Sequence, residues 1–172
     1  MSDAARPFDT GRPRPIVTAL DVLRRQIDHD DFDAAIFALD AVAADLGYGD
    51  VRPLPGAIAW IDRLRRDGKR IGVASVTERA EAALDLAGIA DRFDVVVSGS
   101  GAAQRLRRAL EDLGVEAVRA VVVAVDPGEL EAARAAGVEL AIGVARGEAS
   151  PERLRRAGAV TVVADLQELL GA

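Results

Sequence analysis

The stretch FDAAIFALDAV carries an apolar run directly into an acidic side chain, Asp40. A carboxyl group at the end of a buried strand can donate or accept a proton in catalysis. Two other apolar runs lead into polar side chains, one into the hydroxyl groups of Ser75 and Thr77 and one into the carboxylates of Asp126 and Glu129. Hydroxyl groups beside backbone amides can hold phosphate, and carboxylates are ligands of Mg²⁺. These residues, together with the loop 98–103, are the ones to examine for a functional site.

Each candidate also has a purely structural interpretation. Asp40 can cap a turn or helix, as Asp commonly does at strand ends. Ser75 can equally be a helix N-cap, with Thr77 opening the next helix, and the sequence favours neither role over the other. The Asp-Pro-Gly-Glu segment that begins at Asp126 is typical of a turn entering a helix, and we prefer this interpretation to a metal site.

Alternating apolar and helical patterns predict the fold class. Apolar runs of β type occur at 34–40, 71–76, 94–99, 120–126, 139–144 and 160–165. Helical patterns occur at 57–67, 78–87, 102–113, 128–136 and 151–156. Strands this apolar are covered by helices on both faces, so the pattern predicts an α/β fold, a three-layer doubly wound parallel sheet. In such a sheet, ligands bind at the carboxyl ends of the strands.

The segment before this pattern is predicted to be organised differently. Residues 1–15 combine Pro, Gly, Arg and Asp without periodicity, which predicts a flexible leader. Residues 16–31 are predicted to form an amphipathic helix, and 32–172 the core domain. The apolar stripe of that helix consists of Ile16, Leu20, Leu23 and Ile27. This stripe packs on its own domain, or it contacts an unidentified protein partner or a second copy of the chain.

Composition bears on the possible partners and location. A formal net charge of -6 argues against a nucleic-acid surface, and the absence of Cys excludes disulfides. No apolar run has the length of a membrane span, and the N-terminal residues lack the apolar region of a signal peptide. We therefore expect no nucleic-acid and no membrane partner, and a cytoplasmic location.

From residue 32 onward the chain resembles the haloacid dehalogenase (HAD) superfamily of phosphohydrolases, in its β-phosphoglucomutase-like branch. FDAAIFALDAV is similar to the first motif of that branch, a strand that ends in Asp-x-Asp-Gly-Val. The stretch from VRPLPG to DVVVSG is similar to the region through the second motif, and LEAARAAGVELAIGV to a later segment. The resemblance implies a HAD-type Rossmannoid sheet with the AAIFALD strand central. It also implies that phosphate binds at Ser75, Val76 and Thr77.

The resemblance implies a covalent mechanism, from which this chain departs at the reacting group. In the family, the first Asp of the motif attacks phosphorus and the second protonates the leaving group. Here Ala38 stands at the nucleophile position, Asp40 at the acid-base position and Ala41 at the Gly position. A methyl group cannot attack phosphorus, so we expect no catalytic residue and interpret Asp40 as vestigial.

The cationic and metal-binding motifs of the family are altered as well. The Lys that neutralises charge falls at Ser100, and residues 99–104 contain no Lys or Arg. The acidic pair that holds metal falls at Ala124 and Val125. The weak candidates left for a metal are Asp40, Asp126 and Glu129. We therefore expect no cofactor, and Mg²⁺ only if residual activity exists.

The connection after Asp45 is short. Only LGYGD separates this residue from Val51, where the β-phosphoglucomutase-like branch inserts a helical cap that encloses the substrate. The sequence therefore predicts no cap domain. We predict a pseudophosphatase, a catalytically inactive protein with a binding, scaffold or regulatory role. The alternative is a phosphohydrolase of a sugar phosphate or a similar small phosphate monoester, in which Asp40 directs water in place of a covalent step.

Overall fold

Six parallel strands form one sheet in the computed structural model, which describes residues 27–170. The strands are Ala34–Ala38 (β1), Arg70–Ser75 (β4), Val95–Ser98 (β5), Ala120–Ala124 (β6), Leu140–Val144 (β7) and Thr161–Val163 (β8). Their spatial order is β5-β4-β1-β6-β7-β8, so β1 lies in the interior of the sheet. Two short strands, Ala43–Asp45 (β2) and Val51–Pro53 (β3), form a separate antiparallel hairpin.

Helices connect the strands and cover both faces of the sheet. They are Pro55–Arg66 (α1), Ala80–Leu86 (α2), Ala102–Leu113 (α3), Pro127–Ala135 (α4) and Pro151–Arg156 (α5). Three of them begin with Pro. The N–H that Pro lacks would have no intrahelical acceptor at the first position of a helix, so no hydrogen bond is lost. Helix α3 ends at Gly114, which adopts a left-handed conformation with φ of 67°.

Side chains that alternate along β1 divide the core into two layers. Ala35 and Phe37 face α1, where the Trp60 ring packs edge-on against Phe37 with ring centroids 5.8 Å apart. Ala34 and Ile36 face the opposite layer, which contains Leu106 and other apolar residues of α3. Because β1 pairs in parallel with β4 on one side and β6 on the other, its side chains are covered on both faces.

The predicted fold class is confirmed, including the central position of the AAIFALD strand. Strand β1 ends two residues earlier than predicted because Leu39–Ala41 form a 3-10 turn. The β2–β3 hairpin was not predicted, since its strands are only three residues long and lack an apolar run. Within residues 27–170 there is no cap domain, and the hairpin lies between β1 and α1.

The predicted leader, 1–15, and most of the predicted N-terminal helix lie outside the described residues. Of the apolar stripe only Ile27 is described, and it is half-buried against the core. His29–Asp31 form a single 3-10 turn, capped by Asp28 through a carboxylate oxygen that accepts the Asp30 N–H at 3.0 Å. Every helix of the described region is too short or too polar to cross a membrane.

The interior position of β1 makes its side chains sensitive to truncation. Ile36 is fully buried, so Ile36→Ala should leave a cavity and lower the free energy of unfolding by about 2–5 kcal/mol. The matched control is Val118→Ala, because Val118 is 53% exposed and its truncation should cost less than about 0.5 kcal/mol. Urea denaturation measures both values. Equal small losses in the two variants would show that β1 is not central to the core.

Candidate functional site

The carboxyl ends of the parallel strands lie at one edge of the sheet, and the turns after them carry the predicted site residues. Asp40 follows β1, Ser75 ends β4, and Asp126 follows β6. Two arginines that the sequence did not single out lie at the same edge, Arg105 in the first turns of α3 and Arg146 in the loop after β7. The edge therefore combines acidic, hydroxyl and cationic side chains.

Asp40 occupies the middle of the 3-10 turn that follows β1. The Val42 N–H donates to the Leu39 carbonyl at 3.1 Å and closes this turn. Partial burial raises the pKa of the Asp40 carboxyl, and the negative charge of Asp126 acts in the same direction. Its own backbone N–H and the Arg146 guanidinium oppose the rise in pKa. The residue as a whole is solvent-exposed, so water reaches the carboxyl and limits the shift.

Ser75 and Thr77 shape the turn after β4 through their hydroxyl groups. The Ser75 Oγ accepts the Thr77 N–H at 3.2 Å, and the Thr77 Oγ1 accepts the Arg79 N–H at 3.2 Å. Helix α2 begins only at Ala80, so Ser75 is not its N-cap and that structural interpretation is wrong. Ser75 is nearly fully buried, whereas the side chain of Val76 is largely exposed.

The loop after β5 carries no cation of its own, but it receives one from α3. Ser100, at the position of the family Lys, is exposed. The Arg105 Nη1 donates to the Gly99 carbonyl at 2.5 Å and to the Ser100 carbonyl at 3.2 Å. Its Nη2 donates to the Glu129 carboxylate, so a buried ion pair joins α3 to α4. The Arg105 Nε is buried without a hydrogen-bond partner.

Comparison of the sequence with the family motifs did not identify Arg105, although the sequence contains a signal for it. It lies four and eight positions before Ala109 and Leu113, both of which are buried on α3. Residues at this spacing share one face of a helix. An Arg on an otherwise apolar face is rarely buried unless it is paired, so its position indicates a partner inside the fold.

Asp126 and Glu129 have structural partners that compete with a metal. The Asp126 Oδ1 accepts the Gly128 N–H at 2.7 Å and caps α4, which confirms the predicted turn into a helix. Burial raises the pKa of the Glu129 carboxyl, while the Arg105 charge opposes that rise.

The HAD resemblance implies Mg²⁺, which needs carboxylates that converge and are available to it. Across residues 27–170, no group of three or more His, Cys, Asp or Glu side chains converges in this way. With Ala38 at the first carboxylate position, Asp126 capping a helix and Glu129 paired, the residues do not fit such a metal.

Arg146 reaches the site from a loop that two backbone hydrogen bonds and one close packing contact hold in place. The Ala145 N–H donates to the Val163 carbonyl at 2.8 Å, and the Arg146 N–H to the Val144 carbonyl at 3.0 Å. Gly147 packs so closely on the end of β6 that a Cβ there would lie 2.9 Å from the Val125 Cγ1. From this loop the Arg146 Nη1 donates to the Asp40 carbonyl at 2.5 Å. A short irregular loop offers no periodicity that could have predicted this contact.

Comparisons with known proteins agree with the fold. A family model described as haloacid dehalogenase-like hydrolase matches residues 10–137. The chain is 36% identical over 149 residues to a trehalose-phosphate phosphatase of Mycobacterium leprae, covering 84% of this chain and 33% of that protein. It is 31% identical to a phosphoglycolate phosphatase of Cupriavidus necator, covering 98% of this chain and 79% of the relative. A Thermotoga maritima structure described as a β-phosphoglucomutase superposes with a TM-score of 0.71 at 20% identity, covering 81% of this chain and 97% of that one.

These findings correct the prediction of a catalytically inactive binding, scaffold or regulatory protein. The relatives over most of the chain are named phosphatases, which supports the alternative, a phosphohydrolase. The prediction was wrong in resting on the residues missing from the family motifs alone. It did not include the cations that other elements bring to the same edge. The chain spans only about one third of the mycobacterial relative, so the activity of that whole protein is not transferred here. On the strength of the family model, this chain belongs to the haloacid dehalogenase-like hydrolases, and its fold is that of the β-phosphoglucomutase-like branch.

Proposed function

We propose that the chain hydrolyses a small phosphate monoester at the carboxyl edge of its sheet. The substrate class follows the names of the relatives, which act on trehalose phosphate and phosphoglycolate. One observation carries the proposal: Asp40, a carboxyl with a raised pKa, follows the central strand and has a cationic side chain, Arg146, on its own carbonyl. This combination can hold a proton and attract a phosphate at the same place.

The residue at the nucleophile position decides the type of mechanism. Ala38 has no group that can attack phosphorus, so the phosphoryl group must pass directly to water. The methyl group of Ala38 also fills less space than a carboxylate. A single displacement by water therefore replaces the two displacements of the covalent mechanism.

Asp40 is the general acid in this proposal. Water forms a new bond to phosphorus while the bond from phosphorus to the ester oxygen breaks. The electron pair of the broken bond stays on the ester oxygen, which takes the proton of Asp40 and leaves as an alcohol. One proton of the attacking water goes to solvent or back to Asp40. The raised pKa favours this role, because it keeps a larger share of Asp40 protonated than an ordinary Asp has at the same pH.

The turn after β4 is proposed to hold the phosphate oxygens of the substrate. Strand β4 lies directly beside β1, with Ala74 in register with Ala38. Ser75, Val76 and Thr77 follow at once, and they offer two hydroxyl groups and the backbone amides of the turn. No step of this mechanism is assigned to Mg²⁺, because the carboxylates at this edge do not fit it.

Hydrolysis of phosphate monoesters by the purified protein is the direct test of the proposed function. Sugar phosphates and phosphoglycolate should release inorganic phosphate, and Asp40→Asn should lower kcat by about 10²–10⁴-fold because the general acid is lost. Asp91→Asn is the matched control, because Asp91 is 85% exposed and lies before β5, at the other end of the sheet. Equal rates in the wild type and the Asp40 variant would refute the role of Asp40.

The single displacement can be tested by the stereochemistry at phosphorus. Hydrolysis of a monoester with an isotopically chiral phosphoryl group should invert the configuration at phosphorus, because direct attack by water is one in-line displacement. Analysis of the configuration of the released phosphate by ³¹P NMR provides the readout. Retention of configuration would instead demonstrate two displacements through a phosphoenzyme and overturn the direct attack by water.

The raised pKa of Asp40 also predicts how stability depends on pH. A carboxyl with a folded-state pKa above its ordinary value of 3.8 contributes stability below that value and loses it as pH rises through the folded pKa. Asp40→Asn removes this loss, so its free energy of unfolding should rise relative to wild type as the pH increases above 3.8. Urea denaturation across this range measures the difference. A difference that is constant with pH would show that the pKa of Asp40 is not raised.

A further inference from the structure

We infer that phosphate binds at this site without a divalent metal ion, because Arg146 supplies the positive charge that contacts it and Arg105 pairs with the carboxylate that a metal would use. The inference rests on the proposed function, since it concerns the same edge of the sheet. It assigns different tasks to the two arginines. Arg105 neutralises the acidic residue that a metal would use, and Arg146 contacts the phosphate.

Arg105 pairs with Glu129, a carboxylate that a metal ion at this edge would need. Its side chain is only 4% exposed, and its Nη2 donates to the Glu129 carboxylate. Two carbonyl groups, those of Gly99 and Ser100, hold the Nη1. A buried charge that loses its partner is strongly destabilising, so a divalent cation could take Glu129 only by leaving Arg105 unpaired. The buried ion pair therefore makes the Glu129 carboxylate unavailable to a metal ion.

The terminal nitrogens of the Arg105 guanidinium are hydrogen-bonded, whereas its Nε is not. Its Nε is buried and has no partner, which is one of only two such side-chain atoms in the described part of the chain. An unsatisfied buried donor opposes folding, and such groups are often associated with function. The buried ion pair also joins α3 to α4, and the Arg105 contacts with the Gly99 and Ser100 carbonyls hold the loop after β5 at the carboxyl edge of the sheet.

Arg146 is the cation that a ligand can reach. Its residue is exposed, and one nitrogen is fixed on the Asp40 carbonyl, whereas no carboxylate among residues 27–170 forms an ion pair with it. The loop contacts at Ala145 and Gly147 hold its backbone, so its position does not depend on the side chain alone. A planar guanidinium with donors left over matches the oxygens of a phosphate group.

Calorimetry with inorganic phosphate tests this inference. Protein treated with EDTA should bind phosphate, and added Mg²⁺ should change its Kd by less than about twofold. Arg146→Gln should raise the Kd by about 10–100-fold, because a charge-assisted hydrogen bond to phosphate is lost. Arg155→Gln, the same change of charge in the last turn of α5, is the control and should leave the Kd unchanged. Arg146→Lys should recover only part of the affinity, since it keeps the charge without the planar fork.

Phosphate binding that needs Mg²⁺, or no phosphate binding at all, would overturn the inference. Equal phosphate affinities in the Arg146→Gln and Arg155→Gln proteins would overturn it as well. Monoester hydrolysis on the same samples separates this failure from that of the proposed function. Hydrolysis that requires Mg²⁺ keeps the proposed function and removes the inference. Phosphate binding through Arg146 without turnover of any monoester keeps the inference and removes the proposed function.

Discussion

Strand β1 hydrogen-bonds to β4 on one side and to β6 on the other, and this double pairing determines where the site can be. The five residues of β1 run from Ala34 to Ala38, and the register places Ala38 beside Ala74 of β4. Everything that follows β1 therefore emerges between the ends of its two neighbours. Asp40 can lie only at that edge, next to the hydroxyl groups after β4 and the acidic residues after β6.

The carboxyl edge of the sheet shows which charged groups accompany the loss of the carboxylate at residue 38. A carboxylate at residue 38 would call for a cation close by to neutralise it, and the chain has neither that carboxylate nor the family Lys. What it has instead is a cation paired to Glu129 and a second cation on the Asp40 carbonyl. The two arginines thus place positive charge beside the acidic side chains of this edge, and burial there favours the protonated form of Asp40.

Much of the fold could be predicted from the sequence, because strands buried on both faces leave long apolar runs such as Ala34–Phe37. The hairpin could not, since Ala43–Asp45 and Val51–Pro53 are too short to show a period. Asp126 was correctly interpreted as a turn residue from the Pro and Gly that follow it. Arg146 could not be predicted, because its contact with Asp40 joins residues that are 106 positions apart. Hydrogen bonds of this kind depend on loop geometry, which local sequence patterns do not encode.

The central claim is that Asp40 holds a proton at the place where phosphate binds. The most direct measurement is an NMR titration of the Asp40 carboxyl carbon with and without inorganic phosphate. We predict a pKa above 3.8 in the free protein and a further rise when phosphate is added, because a nearby negative charge disfavours the ionised carboxyl. A pKa at or below 3.8 that does not respond to phosphate would contradict this claim and would place the phosphate site elsewhere.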